Sequence, residues 1–416
     1  MAGGRPIVVV IGGVYVDMAV RCVDFPATGQ VAAGSSFSYT AAGAGSNQAI
    51  QAALCGCQVY LVGKDIFGQM IKNNLADFGV SSDFVFEAEA KNTGVSVSFV
   101  SSSGANRTVI SEGANRALLR SDIKGEKFEK LLSHANVCLI DGGLPSDFVS
   151  SAIRAAKLSK TKVILDPALS SEQFENQSGK LPLDYYTADI LVPNFVEAAE
   201  LTTAQSRNIH TAKLIGSDLI ARGVGCVVIK LGKRGALVVD KQGTSHIPAF
   251  EVKFVDHAGC GDAFDGALAA SCAVGSARGC LTADEIRKAV KFASAAGALA
   301  CTKFGGQEAL PKKEEILERT KTYSEMRKRS QPLDYPSAGS IFKNPKEGPA
   351  GKWIEEVGLK GFRMGQAMVS DRHANFIVNL GTATSEEIIR LMEFVERTVF
   401  KLKGIALERE VKVVGD

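Results

Sequence analysis

Short, wholly apolar runs recur along the first half of this chain, and they restrict its fold more than any other feature. Residues 7–12 (IVVVIG), 59–63 (VYLVG), 137–141 (VCLID), 162–166 (KVILD), 189–193 (DILVP) and 226–231 (CVVIKL) each suit one buried strand and are too short for a helix. Most are followed by a segment of helical pattern. A strand that is apolar on both faces must be covered on both, so the alternation predicts an α/β fold with a parallel sheet between helical layers. Ligands of such sheets bind beyond the carboxyl ends of the strands. Asp17, read as the end of the first strand, falls there with Asn194 and Lys230. Residues 93–101 (TGVSVSFVS) and 107–111 (RTVIS) instead alternate in polarity around Ser103-Gly104-Ala105-Asn106, which predicts a hairpin with one exposed face.

At 416 residues the chain is too long for one typical domain. A polar, basic stretch at 320–336 ends in Gln331-Pro332, where a helix cannot continue. The boundary is placed at residue 326, giving domains 1–326 and 327–416. A net charge of +3 is too small for this length to argue for a nucleic acid or an anionic membrane as partner. No apolar run is long enough to span a bilayer. The opening residues lead into an apolar run that soon meets Asp17, which reads as a strand and not a signal peptide, so a cytoplasmic location is expected. The nine cysteines are odd in number and scattered through apolar contexts, which predicts buried free thiols rather than a disulfide frame or a metal site.

The chemistry concentrates at Val255-Asp256-His257-Ala258-Gly259-Cys260-Gly261-Asp262-Ala263-Phe264. A glycine turn runs directly into residues 263–275, small and apolar enough for a buried helix. The first N–H groups of a helix have no acceptor inside it, and with the helix dipole they favour an anion. Gly259, Cys260 and Gly261 would form that anion hole, and Asp262 beside it could take a proton from an attacking hydroxyl. The same residues also read as an ordinary strand-to-helix turn with an aspartate cap.

The pattern from Asp256 to Phe264 resembles the D-T-x-G-A-G-D-x-F signature of the ribokinase-like (PfkB) carbohydrate kinases, with His257 and Cys260 as departures. The resemblance implies a doubly wound, mostly parallel sheet with a small β lid over the sugar, often shared across a homodimer. It implies ATP as phosphoryl donor, Mg²⁺ and K⁺ as ions, and Asp262 as base. Asn194 and Glu197 match an N-x-x-E motif that places Mg²⁺ through water, though they also fit a helix cap. Lys230, Gly232 and Gly235 match the segment against the nucleotide, and a plain β-turn is the competing reading. Asp256 with the backbone of Ala258, Lys303 and Gly305 matches a monovalent-cation site. Asp17, Gly43 and Asn47 match sugar contacts. Tyr15, Ala44 and Gly143 stand where an asparagine, a lysine and a glutamate are expected, so a nucleoside fits at least as well as ribose.

The last ninety residues resemble the C-terminal α+β domain of UDP-N-acetylenolpyruvoylglucosamine reductase, through Tyr335–Pro345, Ala350–Glu356 and Val369–Phe376. Ser340 and Glu410 match that enzyme's proton-transfer residues, and Asn344 and His373 match positions near the UDP-sugar. As ordinary residues Ser340 and Glu410 read as turn and surface positions. The chain lacks the reductase's glycine-rich flavin segment, so FAD is not expected. The resemblance therefore leaves open a UDP-amino-sugar-binding regulatory unit, a structural remnant, and a partner for a separate flavin domain. It also leaves open a non-catalytic kinase fold that senses a peptidoglycan precursor.

Overall fold

The computed structural model describes residues 5–57, 66–81, 91–103, 105–121, 123, 125–169, 181–201, 208–275, 281–332, 334–411 and 413. The apolar run 59–63 and Gly104 of the hairpin turn lie outside the described residues. The chain forms two compact units, Met1–Thr320 and Lys321–Asp416. The division falls inside a helix, Lys313–Ser330, which stops directly before Gln331-Pro332.

The first unit carries β2 (Tyr15–Cys22), β3 (Gly34–Ala42), β4 (Gly94–Ser101) and β5 (Asn106–Ser111) apart from its central sheet, whose seven strands are β1 (Val8–Ile11), β6 (Val137–Asp141), β7 (Lys162–Asp166), β8 (Ile190–Leu191), β9 (Cys226–Lys230), β10 (Ala236–Asp240) and β11 (Gly243–Ile247). They lie side by side in that order. Strands β1, β6, β7, β8 and β9 pair in parallel, and β10 and β11 close the edge antiparallel. Strand β6 is buried along its whole length, as both-face coverage requires. Residues that end parallel strands share one edge of the sheet, and Asp141 and Asp166 stand in register there.

A second sheet takes β2 (Tyr15–Cys22), β3 (Gly34–Ala42), β4 (Gly94–Ser101) and β5 (Asn106–Ser111), in the order β3-β2-β4-β5. The predicted hairpin is β4–β5, paired antiparallel, while β2 and β4 run parallel. Asp17 belongs to this lid, opposite Thr40 and Ser96, and does not end the first strand. The reason is Gly12-Gly13. A Cβ at Gly12 would sit 2.6 Å from the Cα of Gly45, and the Gly13 carbonyl accepts from Gly45 N–H at 3.1 Å. The chain breaks there to let the helix Ala44–Leu54 approach, and starts a new strand in another sheet.

The cysteine expectation fails at one pair. Cys260 and Cys301 form a disulfide, with Cα atoms 5.9 Å apart. Gly297 makes the approach possible: a Cβ there would meet the Cys260 carbonyl at 3.0 Å, so the helices Cys260–Gly275 and Ala283–Ala300 pack almost backbone to backbone. Cys22, Cys55, Cys57, Cys138, Cys226 and Cys272 are free and buried.

The second unit is an antiparallel sheet of β12 (Ser337–Ser340), β13 (Arg363–Met364), β14 (Ala367–Val369) and β15 (Phe376–Asn379), in the order β12-β15-β14-β13. The helix Ser385–Lys403 covers it, started by a Thr384/Glu387 capping box and ended by left-handed Gly404. Leu391, Met392, Val395 and Val399 of this helix join Ile377 and Val369 in the unit's own core.

Candidate active site

The carboxyl ends of β6, β7 and β9 meet the first turn of the helix Cys260–Gly275, and a cluster of charge forms between them. Gly259 turns the chain into that helix at φ +71°, a conformation side chains resist, and a Cβ there would press on the Gly306 carbonyl at 3.2 Å. Cys260 N–H donates to the His257 carbonyl at 3.3 Å, and Ala263 N–H to Gly259 at 2.8 Å. That leaves Gly261 and Asp262 as the first-turn N–H groups with no acceptor inside the helix. Of the three residues expected to form the anion hole, Cys260 is the one whose N–H is shown with a backbone acceptor. Cys260 spends its N–H on the turn.

Asp262 accepts a hydrogen bond from Asn47 Nδ2 at 2.7 Å, which joins the two ends of a 215-residue separation. Burial pushes its carboxyl up to about 7, and the charges of Asp166 and Asp141 add to this against Asn47 and Lys230. Asn47 is itself buried, and its Oδ1 has no partner. A buried amide oxygen left unpaired is costly, and a ligand hydroxyl donating to it removes the cost. Gly43 precedes the same helix at φ +107°, where a Cβ would lie 2.7 Å from the Gly13 carbonyl. Asp17 is on the lid, exposed, with burial against its neighbours still raising its pKa and Ser96 opposing the rise.

Three acids that the sequence reading did not single out complete the cluster. Asp141 accepts from Gly13 N–H at 3.2 Å and Gly143 N–H at 2.9 Å, and burial pushes it up to about 6. Asp166 and Asp265 share Lys230, whose Nζ lies 3.4 Å from Asp166 Oδ2 and 2.8 Å from Asp265 Oδ2. The signal available in the sequence was that two buried parallel strands end in aspartate, and that Asp265 follows Asp262 by three positions on one helical face.

Asn194 caps the helix Phe195–Glu200, accepting from Val196 and Glu197 N–H, while Glu197 accepts from Asn194 N–H at 2.7 Å. Both motif residues therefore do capping work. Burial and the charge of Asp166 push Glu197 up to about 7. A carboxylate held so close to other acids suits a hard divalent cation with oxygen ligands, so the donor set fits Mg²⁺. Lys230 N–H donates to the Pro193 carbonyl at 2.9 Å, which seats the end of β9 beside Asn194. Gly232 and Gly235, at φ +59° and +90°, bound the turn from β9 to β10.

Asp256 gathers Gly305 N–H at 3.1 Å and Ala258 N–H at 3.2 Å. Burial raises its pKa, and these donors with His257 outweigh the rise and leave it low. An ionised carboxylate with two backbone loops drawn to it fits a monovalent cation. Lys303 turns its ammonium to Glu315, 3.6 Å away. Tyr15 is walled by glycines, since a Cβ at Gly13, Gly43 or Gly94 would lie 3.2, 3.0 or 2.7 Å from its ring. Among the described residues no group of three or more His, Cys, Asp or Glu is arranged as a preformed metal cage.

In the second unit Glu410 N–H donates to the Ile341 carbonyl at 2.8 Å, which brings Glu410 beside the strand that carries Ser340. Asn344 Oδ1 accepts from Ala350 N–H at 2.9 Å, and His373 Nδ1 from Asn375 N–H at 3.2 Å. Burial lowers the His373 pKa.

Comparison with known proteins agrees with this division. Residues 6–313 match the pfkB family carbohydrate kinase, and residues 331–414 the C-terminal domain of UDP-N-acetylenolpyruvoylglucosamine reductase. The ribokinase of Haemophilus influenzae is 28% identical over 321 residues, 76% of this chain and 98% of that protein. The reductase of Syntrophobacter fumaroxidans is 57% identical over 89 residues, 21% of this chain and 26% of that enzyme. The chain thus spans about a quarter of that reductase's length. Among solved structures, ribokinase of Thermotoga maritima superposes with a TM-score of 0.65 at 26% identity, covering 76% of this chain and 99% of that one. Arabidopsis thaliana ribokinase complexed with ribose and ATP gives 0.68 at 25% identity, with the same coverage.

Proposed function

Because the chain belongs, through residues 6–313, to the pfkB family of carbohydrate kinases, we propose that it transfers the γ-phosphoryl group of ATP to a primary hydroxyl of a sugar or nucleoside. The observation that carries this reading is Asp262. It sits on the first turn of its helix, beside the N–H of Gly261, and is held by an Asn47 whose other amide atom awaits a donor.

In this mechanism a neighbouring hydroxyl of the acceptor donates to Asn47 Oδ1, and the reacting primary hydroxyl donates to Asp262. Its oxygen attacks phosphorus in line, the bond from phosphorus to the ADP oxygen breaks, and the proton passes to Asp262. Gly261 and Asp262 N–H hold the equatorial oxygens, and this electrostatic positioning supplies most of the acceleration. Glu197, with Asn194, would hold Mg²⁺ through water, and that ion would neutralise charge on the phosphates. Asp256 with Ala258, Lys303 and Gly305 would hold K⁺, keeping the anion-hole turn in place. Gly232 and Gly235 would let the β9–β10 turn lie against the nucleotide.

On the acceptor side, Tyr15 and Gly143 replace two polar contacts that ribose would use. The aromatic ring among three glycines supports an acceptor with an apolar or flat portion, such as a nucleoside. The lid exposes Phe37, Tyr39, Val109 and Ile110, which supports a homodimer formed through it. For the second unit we propose a UDP-amino-sugar-binding role, supported by the pairing that sets Glu410 beside the Ser340 strand.

ATP consumption by the purified chain with Mg²⁺ and K⁺, across pentoses, hexoses and nucleosides and with or without UDP-N-acetylmuramate, tests the proposal. Turnover with one acceptor supports the kinase. ATP binding with silence across the panel supports a sensor that kept the kinase fold.

A further inference from the structure

The acid cluster gathers five carboxyl groups, and Lys230 stands among them. Asp141, Asp166, Glu197, Asp262 and Asp265 lie close enough for Lys230 to act on the charge of four of them, and Lys230 touches the fifth, Asp166. Asp265 is fully buried, and its Oδ2 binds Lys230 Nζ at 2.8 Å while its Oδ1 has no partner. Lys230 is 15% exposed, so its ammonium is not spread into solvent. It also points at the reaction site. A Cβ built on Gly261 would lie 4.0 Å from Lys230 Nζ. An anion at the Gly261 N–H is therefore within reach of the ammonium.

We propose that Lys230 is a catalytic residue, which meets the phosphoryl group as it crosses from ATP to the acceptor, and that Asp265 and Asp166 are positioning residues that aim it. This rests on the kinase reading above. The lysine stays protonated throughout: the acceptor's proton goes to Asp262, and the electron pair of the broken bond goes to the ADP oxygen. Lys230 contributes a fixed positive charge where equatorial negative charge concentrates, in a site where water screens it little. An ammonium on two carboxylates is also free to exchange one of them for a phosphoryl oxygen without leaving its place.

The test compares Lys230→Met, Lys230→Arg and Asp265→Asn with the paired variant Lys230→Met/Asp265→Leu in the full chain. The expected result is a kcat about 10²–10³-fold lower for Lys230→Met, as for loss of one transition-state donor, with KM for ATP nearly unchanged and partial rescue by Lys230→Arg. The paired variant removes the buried charge along with its partner, so it restores the thermal stability that Lys230→Met loses. If it also restores kcat, Lys230 served only to neutralise Asp265 and the proposal is overturned. A second readout needs no acceptor: binding of Mg·ADP with and without aluminium fluoride, a planar phosphoryl mimic. Lys230→Met should lose the extra affinity that the fluoride adds and keep affinity for Mg·ADP. Equal loss of both overturns the proposal. Silence of the wild-type chain on every acceptor overturns the kinase reading alone.

Discussion

The two units of this molecule invert the expected link between similarity and completeness. The second matches its relative at 57% identity, the first at 28%. Yet the first spans nearly all of its relative and the second about a quarter. In the first, residues from the helix Ala44–Leu54, the ends of β6, β7 and β9, and the helix Cys260–Gly275 converge on one buried charged point. In the second, Asn344 and His373 hold backbone N–H groups of their own unit, and Glu410 is exposed. A motif transmits residue identity, while chemistry needs convergence and burial, since a desolvated cluster shifts pKa values and strengthens charge.

Asp262→Asn would break the comparison most sharply. It keeps the shape and removes the base, so turnover should fall by about 10²–10⁴-fold. Unchanged kcat in a coupled ATP assay would falsify the role given to Asp262. Gly259→Ala comes next. At φ +71° and 3.2 Å from the Gly306 carbonyl, an added methyl should cost about 1–3 kcal/mol of stability and disturb the anion-hole turn, read as a lower midpoint of chemical unfolding together with lower kcat.

The pH profile gives a third, smaller effect. Asp262 must be ionised to accept a proton, and its pKa stands near 7 because of burial, with Asp166 and Asp141 raising it and Asn47 and Lys230 lowering it. Hence kcat/KM should be flat above about pH 7 and fall about tenfold per unit below it. A flat profile down to pH 5.5 would mean that another group takes the proton.

The second unit should respond in stability rather than catalysis. Asn344→Ala removes the acceptor of the first N–H of the helix Ala350–Glu356 and should cost that unit about 1 kcal/mol, seen by thermal unfolding. Ser340→Ala should leave kinase turnover within about twofold. A larger loss would show that the two units act together.

Much of the first unit was legible because burial on both faces writes itself as apolar runs: β6 and β7 begin and end where the sequence predicts. Asp17 was misplaced because the glycines that break β1 announce a turn without saying which sheet the chain enters next. Strand β3 was missed because its first seven residues are exposed, so no alternation marked it. Cys260 and Cys301 looked like separate thiols, since only the close packing at Gly297 brings them together.

By itself, the sequence determined the layers of the first unit, the helix that carries Asp262 and the family of the site, because these follow from local periodicity and from a ten-residue motif. The tertiary structure decided which acids surround that motif. Asp141, Asp166 and Asp265 become one cluster with Lys230 only because parallel strands align their carboxyl ends and a glycine-lined helix packs against them. The raised pKa of Asp262 and the aim of Lys230 are products of that convergence, and a desolvated charge has no signature in a linear chain.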